Sequence, residues 1–384
     1  MKKIKVYHFH NGSGGGVLSV IKNLLQYKQH DEIENHIIYT INKDLYSDYT
    51  IPVVTEAVSQ QVFYYSANWN FYYTCEKLSK LFPKDAVIIV HDWLELGMVS
   101  NLGLKNKVIQ FLHGDYQYYY DLAIKHSSII DSYICVSDSI SKKLKMNLNN
   151  EKIFYLRFPV KNVRPTNISN DISSIVFIGR GEIAKGYHLL PEIAKLINQK
   201  LKVRWEIFGD ILDECKNIEW PSFIDVKFHG NYNNEQLLDI IPNYDYFISP
   251  SQAEGMPVSL IESMKAGLIP IVNDIEGGIQ ELVVNDHTGY KIELNNIKIF
   301  AEKVIELESK PLLKSNLKSN CISLSNDLFN PFTNTFEIEK KIIEVNNLNV
   351  TIKPSQRIYG SRLDQKWVPN FFTSIIRKYL LQKN

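Results

Sequence analysis

Short apolar runs alternate along this chain with longer stretches in which apolar residues recur every three or four positions. The short runs predict strands at Ile4–Phe9, His36–Ile41, Gln61–Tyr65, Ala86–Val90, Val108–Leu112 and Tyr133–Val136. Between them, Val17–Lys28 puts Val17, Ile21, Leu24 and Leu25 on one helical face, and Phe71–Leu81 and Ser139–Leu148 read the same way. The polar stretch Arg164–Ser174 (RPTNISNDISS) has no apolar period and reads as a linker. The alternation then restarts. Strands are predicted at Ile175–Gly179, Val203–Phe208, Val226–His229, Tyr246–Ser249 and Ile269–Val272. Helices are predicted at Tyr187–Asn198, Glu235–Ile241, Pro257–Ala266, Ile279–Val284, Ile297–Leu307 and Leu312–Leu324. Strands that alternate with helices imply parallel sheets, so the fold class is α/β.

Length fits that division. The chain has 384 residues, enough for two domains at roughly 100–200 residues each. We place the first over 1–165 and the second over 166–335, followed by a helical tail over 336–384. Hydrophobic content of 45% and charged content of 22% are those of a globular protein rather than a disordered one. The net charge of +1 gives no support to nucleic-acid binding. Cys75, Cys135, Cys215 and Cys321 are too scattered for a zinc knuckle or redox dithiol and read as packed thiols. The apolar stretch after Met1-Lys2-Lys3 is too short for a secretion signal, and no run of 18 apolar residues exists. The expectation is a cytoplasmic protein, peripheral at most on the inner face of a membrane.

The tail supports the peripheral reading. Lys353–Asn384 carries Lys353, Arg357, Arg362, Lys366, Arg377, Lys378 and Lys383 against one acid, Asp364, with Trp367, Phe371, Phe372, Ile375, Ile376, Tyr379, Leu380 and Leu381 interleaved. A basic amphipathic helix of this composition suits an anionic membrane surface. A helix packing its apolar face back on the first domain has the same pattern.

Three motifs carry chemistry. Gly12-Ser13-Gly14-Gly15-Gly16 lies between strand and helix, where backbone N–H groups and a helix N-terminus favour an anion. A plain tight turn reads alike, and the spacing does not fit a dinucleotide fingerprint, because Val17 and Ser19 stand where glycines are needed. Gly179-Arg180-Gly181-Glu182-Ile183-Ala184-Lys185-Gly186 puts two cations at the C-terminal end of a strand, where ligands bind in open α/β sheets. Glu254-Gly255-Met256-Pro257-Val258-Ser259-Leu260-Ile261-Glu262 follows another strand and opens a helix, with Pro257 suited to position N1. Its two carboxylates can reach different parts of one ligand, and the first N–H groups can hold a phosphate.

Together with GGxxxV early, HG in mid-chain and GGIxELV…TG late, these motifs resemble glycosyltransferase family four of the bacterial surface-polysaccharide type, over roughly residues 5–330. The resemblance implies a GT-B fold, with two tandem Rossmann-like domains whose parallel sheets face a central cleft, and retaining transfer from a nucleotide-diphosphate sugar. It implies that Gly15 and Gly16 line the donor and acceptor cleft, and that Arg180 and Lys185 neutralise the diphosphate. Glu254 would read the donor-sugar hydroxyls, Glu262 would accept from the ribose, and His113 would lie beside the transferred sugar. Gly255, Met256, Pro257 and Val258 would face the phosphates, although Pro257 has no N–H to donate. Gly209 and Tyr232 are placed near the base by position. UDP or GDP is the expected nucleotide. No D-x-D triplet occurs, so two cationic side chains are expected to replace a metal.

On the acceptor side, Asp115, Tyr116 and Tyr118 in the aromatic stretch after His113, and His91 in His91-Asp92-Trp93, are candidates for sugar stacking and binding. His8 and His10 read as structural. Arg157-Phe158-Pro159-Val160 departs from the polar turn usual in the family. The expected function is transfer of a hexosyl or N-acetylhexosaminyl group to a glycan or glycolipid of a capsule, O-antigen, lipopolysaccharide or teichoic acid. The alternatives are a small soluble acceptor, or a catalytically silent glycan-binding scaffold.

Overall fold

In the computed structural model, which describes residues 2–12, 15–45, 51–165, 172–349 and 352–381, thirteen strands form two sheets whose neighbours all run parallel. The first sheet contains β1 (Ile4–His10), β2 (Ile33–Asn42), β3 (Ser59–Tyr65), β4 (Val87–Val90), β5 (Lys107–Leu112), β6 (Ser132–Cys135) and β7 (Ile153–Tyr155), in the order β3-β2-β1-β4-β5-β6-β7. The second contains β8 (Ser174–Ile178), β9 (Arg204–Phe208), β10 (Asp225–Gly230), β11 (Tyr246–Ser249), β12 (Ile269–Asn273) and β13 (Tyr290–Ile292), in the order β10-β9-β8-β11-β12-β13. Strand order reverses between β1 and β4 and between β8 and β11, and such switch points open a crevice at the strand C-termini.

The helices are α1 (Gly16–Gln26), α2 (Phe71–Leu78), α3 (Trp93–Leu102), α4 (Gln117–Lys125), α5 (Asp138–Lys145), α6 (Leu190–Asn198), α7 (Asn234–Ile240), α8 (Val258–Lys265), α9 (Ile279–Leu282), α10 (Ile297–Glu308), α11 (Pro311–Leu328), α12 (Pro331–Asn346) and α13 (Asn370–Leu381). Apolar strands such as Val87–Val90 are buried along their whole length, as both-face-covered parallel strands should be. In the second sheet, Ile175, Phe177, Trp205 and Ile207 pack against Leu190, Ile193 and Ile197 of α6. Helix α3 is buried from Leu94 to Ser100, so its sequence has no amphipathic period; Asp92 caps its start and Gly103 ends it in the left-handed region. The four cysteines are buried and unbridged.

The chain forms two compact units: Met1–Val136 with Ser141–Leu156 and Phe332–Asn384, and Ser137–Ile140 with Arg157–Pro331. The changeover therefore comes before the boundary read at 165/166. Phe158 and Val160 are buried, and Phe158 meets Phe329 at 5.6 Å. The fully buried ammonium of Lys265, on α8, donates to Val160 O, Asn162 Oδ1 and Phe329 O, each at 2.9 Å. Of the expected linker, 166–171 lies outside the described residues, and Ser174 already belongs to β8. The second changeover comes before 335/336, because Glu339 on α12 accepts from the backbone N–H of Gln29 and His30 at 2.8 Å in the first unit.

Candidate functional site

In the second unit, three loops meet beyond the C-terminal ends of β8, β11 and β12. The loop after β8 begins with Gly179, whose N–H donates to Phe208 O at 2.9 Å. Gly209, with φ +124°, is required there, because a Cβ would lie 2.0 Å from Gly179 O. The loop then makes a short helical turn, Ile183–Lys185, closed by Gly186 at φ +71°, where a Cβ would lie 2.1 Å from Pro250 O. The loops after β8 and β11 are therefore in backbone contact, and Gln252 N donates to Ala184 O at 3.0 Å. This approach brings Lys185 Nζ to 2.7 Å from Glu254 Oε1. Both side chains are largely shielded, at 23% and 14% exposure. The third loop supports Glu254 from behind, since Gly278 N donates to Gly255 O at 2.5 Å.

Arg180 differs from Lys185. Its side chain is 66% exposed and pairs with Glu182 at 3.1 Å, an ion pair of little fixed strength. Helix α8 begins just after Gly255 and Met256. Pro257 is its N-cap, with φ −74° and ψ 111°, rather than its first helical residue, because an extended ψ there turns the chain into the helix. No side chain caps α8, so the N–H groups of its first turn are left for a ligand or solvent. Glu262 is 3% exposed on the same helix. Burial pushes its carboxyl up to about 7, against the pull of Asn234, whose Nδ2 donates to Oε1 at 2.8 Å, and of Lys265. At the end of β9, Phe208 stacks on His229 at 4.2 Å and meets Tyr232 edge-on at 5.5 Å. His229 is held by Glu206. Tyr232 is the more open ring of this group, at 37% exposure.

The first unit has different chemistry at its switch point. His91 Nδ1 and His113 Nε2, at the ends of β4 and β5, are hydrogen-bonded at 2.8 Å, with the tautomers deciding which ring donates. Burial pushes His113 down to about 3, and nearby His10 adds to this. Burial, with His113, His8 and His10 close by, also holds His91 well below the usual imidazole value. Both rings are therefore neutral near pH 7 and act as hydrogen-bonding groups, not as acids. His91 Nε2 is buried with no partner. The stretch after His113 leads into α4, with Tyr116 as its N-cap and Tyr118 in its first turn. Asp115, expected at the acceptor side, accepts from Tyr120 Oη at 2.6 Å and from Lys143 Nζ at 3.0 Å within its own unit. The Tyr118 hydroxyl donates to Asp92 Oδ1, while Tyr116 is 41% exposed. Gly15, at φ +124°, precedes α1 as its uncapped N-cap, and Gly16 begins the helix; Ser13 and Gly14 lie outside the described residues. His10 Nδ1 accepts from Gly12 N at 3.1 Å, in keeping with a structural role.

Residues 161–323, which carry all three loops of the second unit, match the family model "Glycosyl transferases group 1". A curated relative, an uncharacterised glycosyltransferase of Methanocaldococcus jannaschii, is 23% identical over 324 residues, covering 80% of this chain and 88% of that protein. The N,N'-diacetylbacillosaminyl-diphospho-undecaprenol alpha-1,3-N-acetylgalactosaminyltransferase of Campylobacter jejuni is 27% identical over 200 residues, 51% of each chain, so the match spans about half of that relative. Among solved structures, Staphylococcus aureus TarM, crystallised with fondaparinux, alpha-GlcNAc-glycerol and UDP, superposes with a TM-score of 0.72 at 16% identity, over 91% of this chain and 100% of that one. The fold is that of the GT-B glycosyltransferases.

Sequence reasoning placed Lys185 and Glu254 in separate roles, whereas in the folded second unit they are one ion pair. It missed Asn234, the half-buried partner of Glu262, because an Asn at a helix start reads as a cap. That cap is Asn233, which accepts from Gln236 N at 2.9 Å.

Proposed function

We propose that this protein is a retaining glycosyltransferase of the family-four type, moving a hexosyl or N-acetylhexosaminyl group from a nucleotide-diphosphate sugar to a glycan or lipid-linked acceptor in cell-surface polysaccharide synthesis. The observation that carries this reading is the Lys185–Glu254 pair beside the uncapped start of α8 at the β8/β11 switch point. In the proposed reaction the bond between the anomeric carbon and the β-phosphate oxygen breaks, and the acceptor hydroxyl oxygen bonds to the same face of that carbon. The leaving phosphate takes the acceptor's proton. Negative charge grows on the diphosphate as it leaves. Lys185, a swung Arg180 and the first N–H groups of α8 would stabilise it, which is the kind of preorganised field that lowers such barriers. Glu254, held by Lys185, is positioned to accept from sugar hydroxyls. Buried Glu262 is positioned to accept from the ribose. UDP is the proposed nucleotide, supported by the UDP bound in TarM. The cations do the work a metal does elsewhere, so the proposed transfer is metal-independent. The C. jejuni relative, named for transfer to an undecaprenol diphosphate, supports a lipid-linked acceptor.

The test is a thermal-shift panel of UDP-, GDP-, ADP- and CMP-linked sugars in EDTA. A rise with the UDP series alone is expected. No rise with any of them, or a rise that appears only when magnesium is restored, overturns the donor reading.

A further inference from the structure

Helix α13 is inside-out. The residues it turns toward the first unit are polar: Asn370, Thr373, Ser374 and Arg377, spaced i, i+3, i+4, i+7 as one helical face. Asn370, Thr373 and Arg377 are fixed by hydrogen bonds, while the Ser374 hydroxyl is buried without a partner. Asn370 Oδ1 accepts from Asn70 N at 2.7 Å, Thr373 Oγ1 donates to Leu363 O at 3.1 Å, and the Arg377 guanidinium donates to Trp69 O and, at 2.5 Å, to Asp364 Oδ2. Asp364 is itself buried and accepts from Phe71 N at 2.5 Å. Burial alone would raise the Asp364 carboxyl; the N–H groups of Phe71 and Ser361, with Arg377, hold it below the usual carboxylate range. Asn70 caps α2 and also reaches the carbonyls of Leu363, Gln365 and Val368. The helix is thus bolted down by its polar side.

Its apolar side is left outside. Phe371 is 69% exposed, Phe372 58%, Ile375 50%, Ile376 40% and Leu380 54%, and Trp367 just before the helix is 79% exposed. The tail does lie back on the first unit, but α13 does so by its polar face and not by the apolar face that such packing led one to expect. Lys353, counted among the basic residues of the tail, is also buried, with Nζ 2.6 Å from Asp131 Oδ2. Arg357, Arg362, Lys366 and Lys378 remain exposed. Among the described residues from 352 onward, the one acid, Asp364, is taken by Arg377.

We propose that α13 with Trp367 is a preformed docking surface for an anionic lipid bilayer. A rigid helix with its apolar face outward, an aromatic residue at its start and uncompensated cations around it has the composition of an interfacial membrane helix. The charge complement favours a bilayer over a second copy of this chain, since a symmetric contact would bring two basic rims together. The inference stands on the helix alone and does not rest on the transfer chemistry.

The experiment is vesicle flotation of the full chain with phosphatidylcholine vesicles, with or without phosphatidylglycerol, at low and high salt. The wild type should float with the anionic vesicles and less well at high salt. The triple change Phe371→Ser, Phe372→Ser, Ile375→Ser removes outward side chains and should lower the partition coefficient by about 100-fold or more. Its circular dichroism and response to UDP should stay those of the wild type. Flotation that the triple variant leaves unchanged, equal flotation with neutral vesicles, or a concentration-dependent dimer that the triple variant abolishes would each overturn the proposal. Because flotation reads no sugar transfer, its failure leaves the donor reading standing, and the reverse holds too.

Discussion

The two switch points use one topology for opposite electrostatics. At β8/β11, charges are gathered and paired: Lys185 with Glu254, and Arg180 with Glu182. At β1/β4, ionisable groups are gathered and discharged: His8, His10 and His91, with His113 on neighbouring β5, are all pushed below neutral pH by burial. The difference follows from what each set of loops admits. Glycines in the second unit let backbone and short loops close around a few charged side chains, whereas in the first unit aromatic residues and His rings fill the strand ends and exclude water. A charged set suits a leaving diphosphate. A neutral set of hydrogen-bonding rings suits hydroxyl groups.

That contrast breaks most sharply at the ion pair. Lys185→Ala and Glu254→Ala should each reduce turnover by about 10²–10³-fold, the scale of losing one preorganised charge-stabilising group. Calorimetry with the nucleoside diphosphate should separate them, with affinity falling for Lys185→Ala and nearly unchanged for Glu254→Ala. Equal losses of affinity would mean that the pair serves the fold and not two parts of one ligand.

A smaller effect is expected from pH. The Glu262 carboxyl titrates at about 7 in the folded chain against an ordinary 4.5. Ribose hydroxyls donate best to the ionised form, so nucleoside diphosphate affinity should rise about tenfold from about pH 6 to about pH 8, on the scale of 1.36 kcal/mol per pKa unit. Glu262→Gln should flatten that rise. For the unliganded protein the sign is reversed. The folded state holds this proton more tightly than the unfolded chain, so the stability it contributes is full below the ordinary value and is lost as pH rises through about 7. Binding titrations and urea melts over the same range check both slopes.

The smallest effect belongs to the first unit. Asp115→Asn should cost about 1 kcal/mol of stability, as for a part-buried ion pair with one exposed partner, and leave the acceptor KM unchanged. A raised KM without a change in melting temperature would return Asp115 to the acceptor side.

The alternation of apolar runs and helical periods was enough to establish the α/β class, the tandem organisation and the strands β8 to β12 to within a residue or two, because parallel strands covered on both faces are continuous apolar runs. The Gly-rich loops and the paired carboxylates were legible for the same local reason: a tight turn needs glycine wherever it occurs. Periodicity could not reveal α3, buried on all sides, or the short edge strands β7 and β13. Nor could the sequence say where polar side chains point. An apolar stripe on α13 reads the same whether it faces the protein or the solvent. The choice was made by Asn70, Asp364 and Trp69 O, whose buried hydrogen-bonding demands drew Asn370 and Arg377 inward. Likewise, that Lys185 meets Glu254 and that Lys265 gathers Val160, Asn162 and Phe329 are facts of chain segments far apart in sequence. Local residues determine turns and strands. Which charge answers which is decided only when the folded chain removes water from between them.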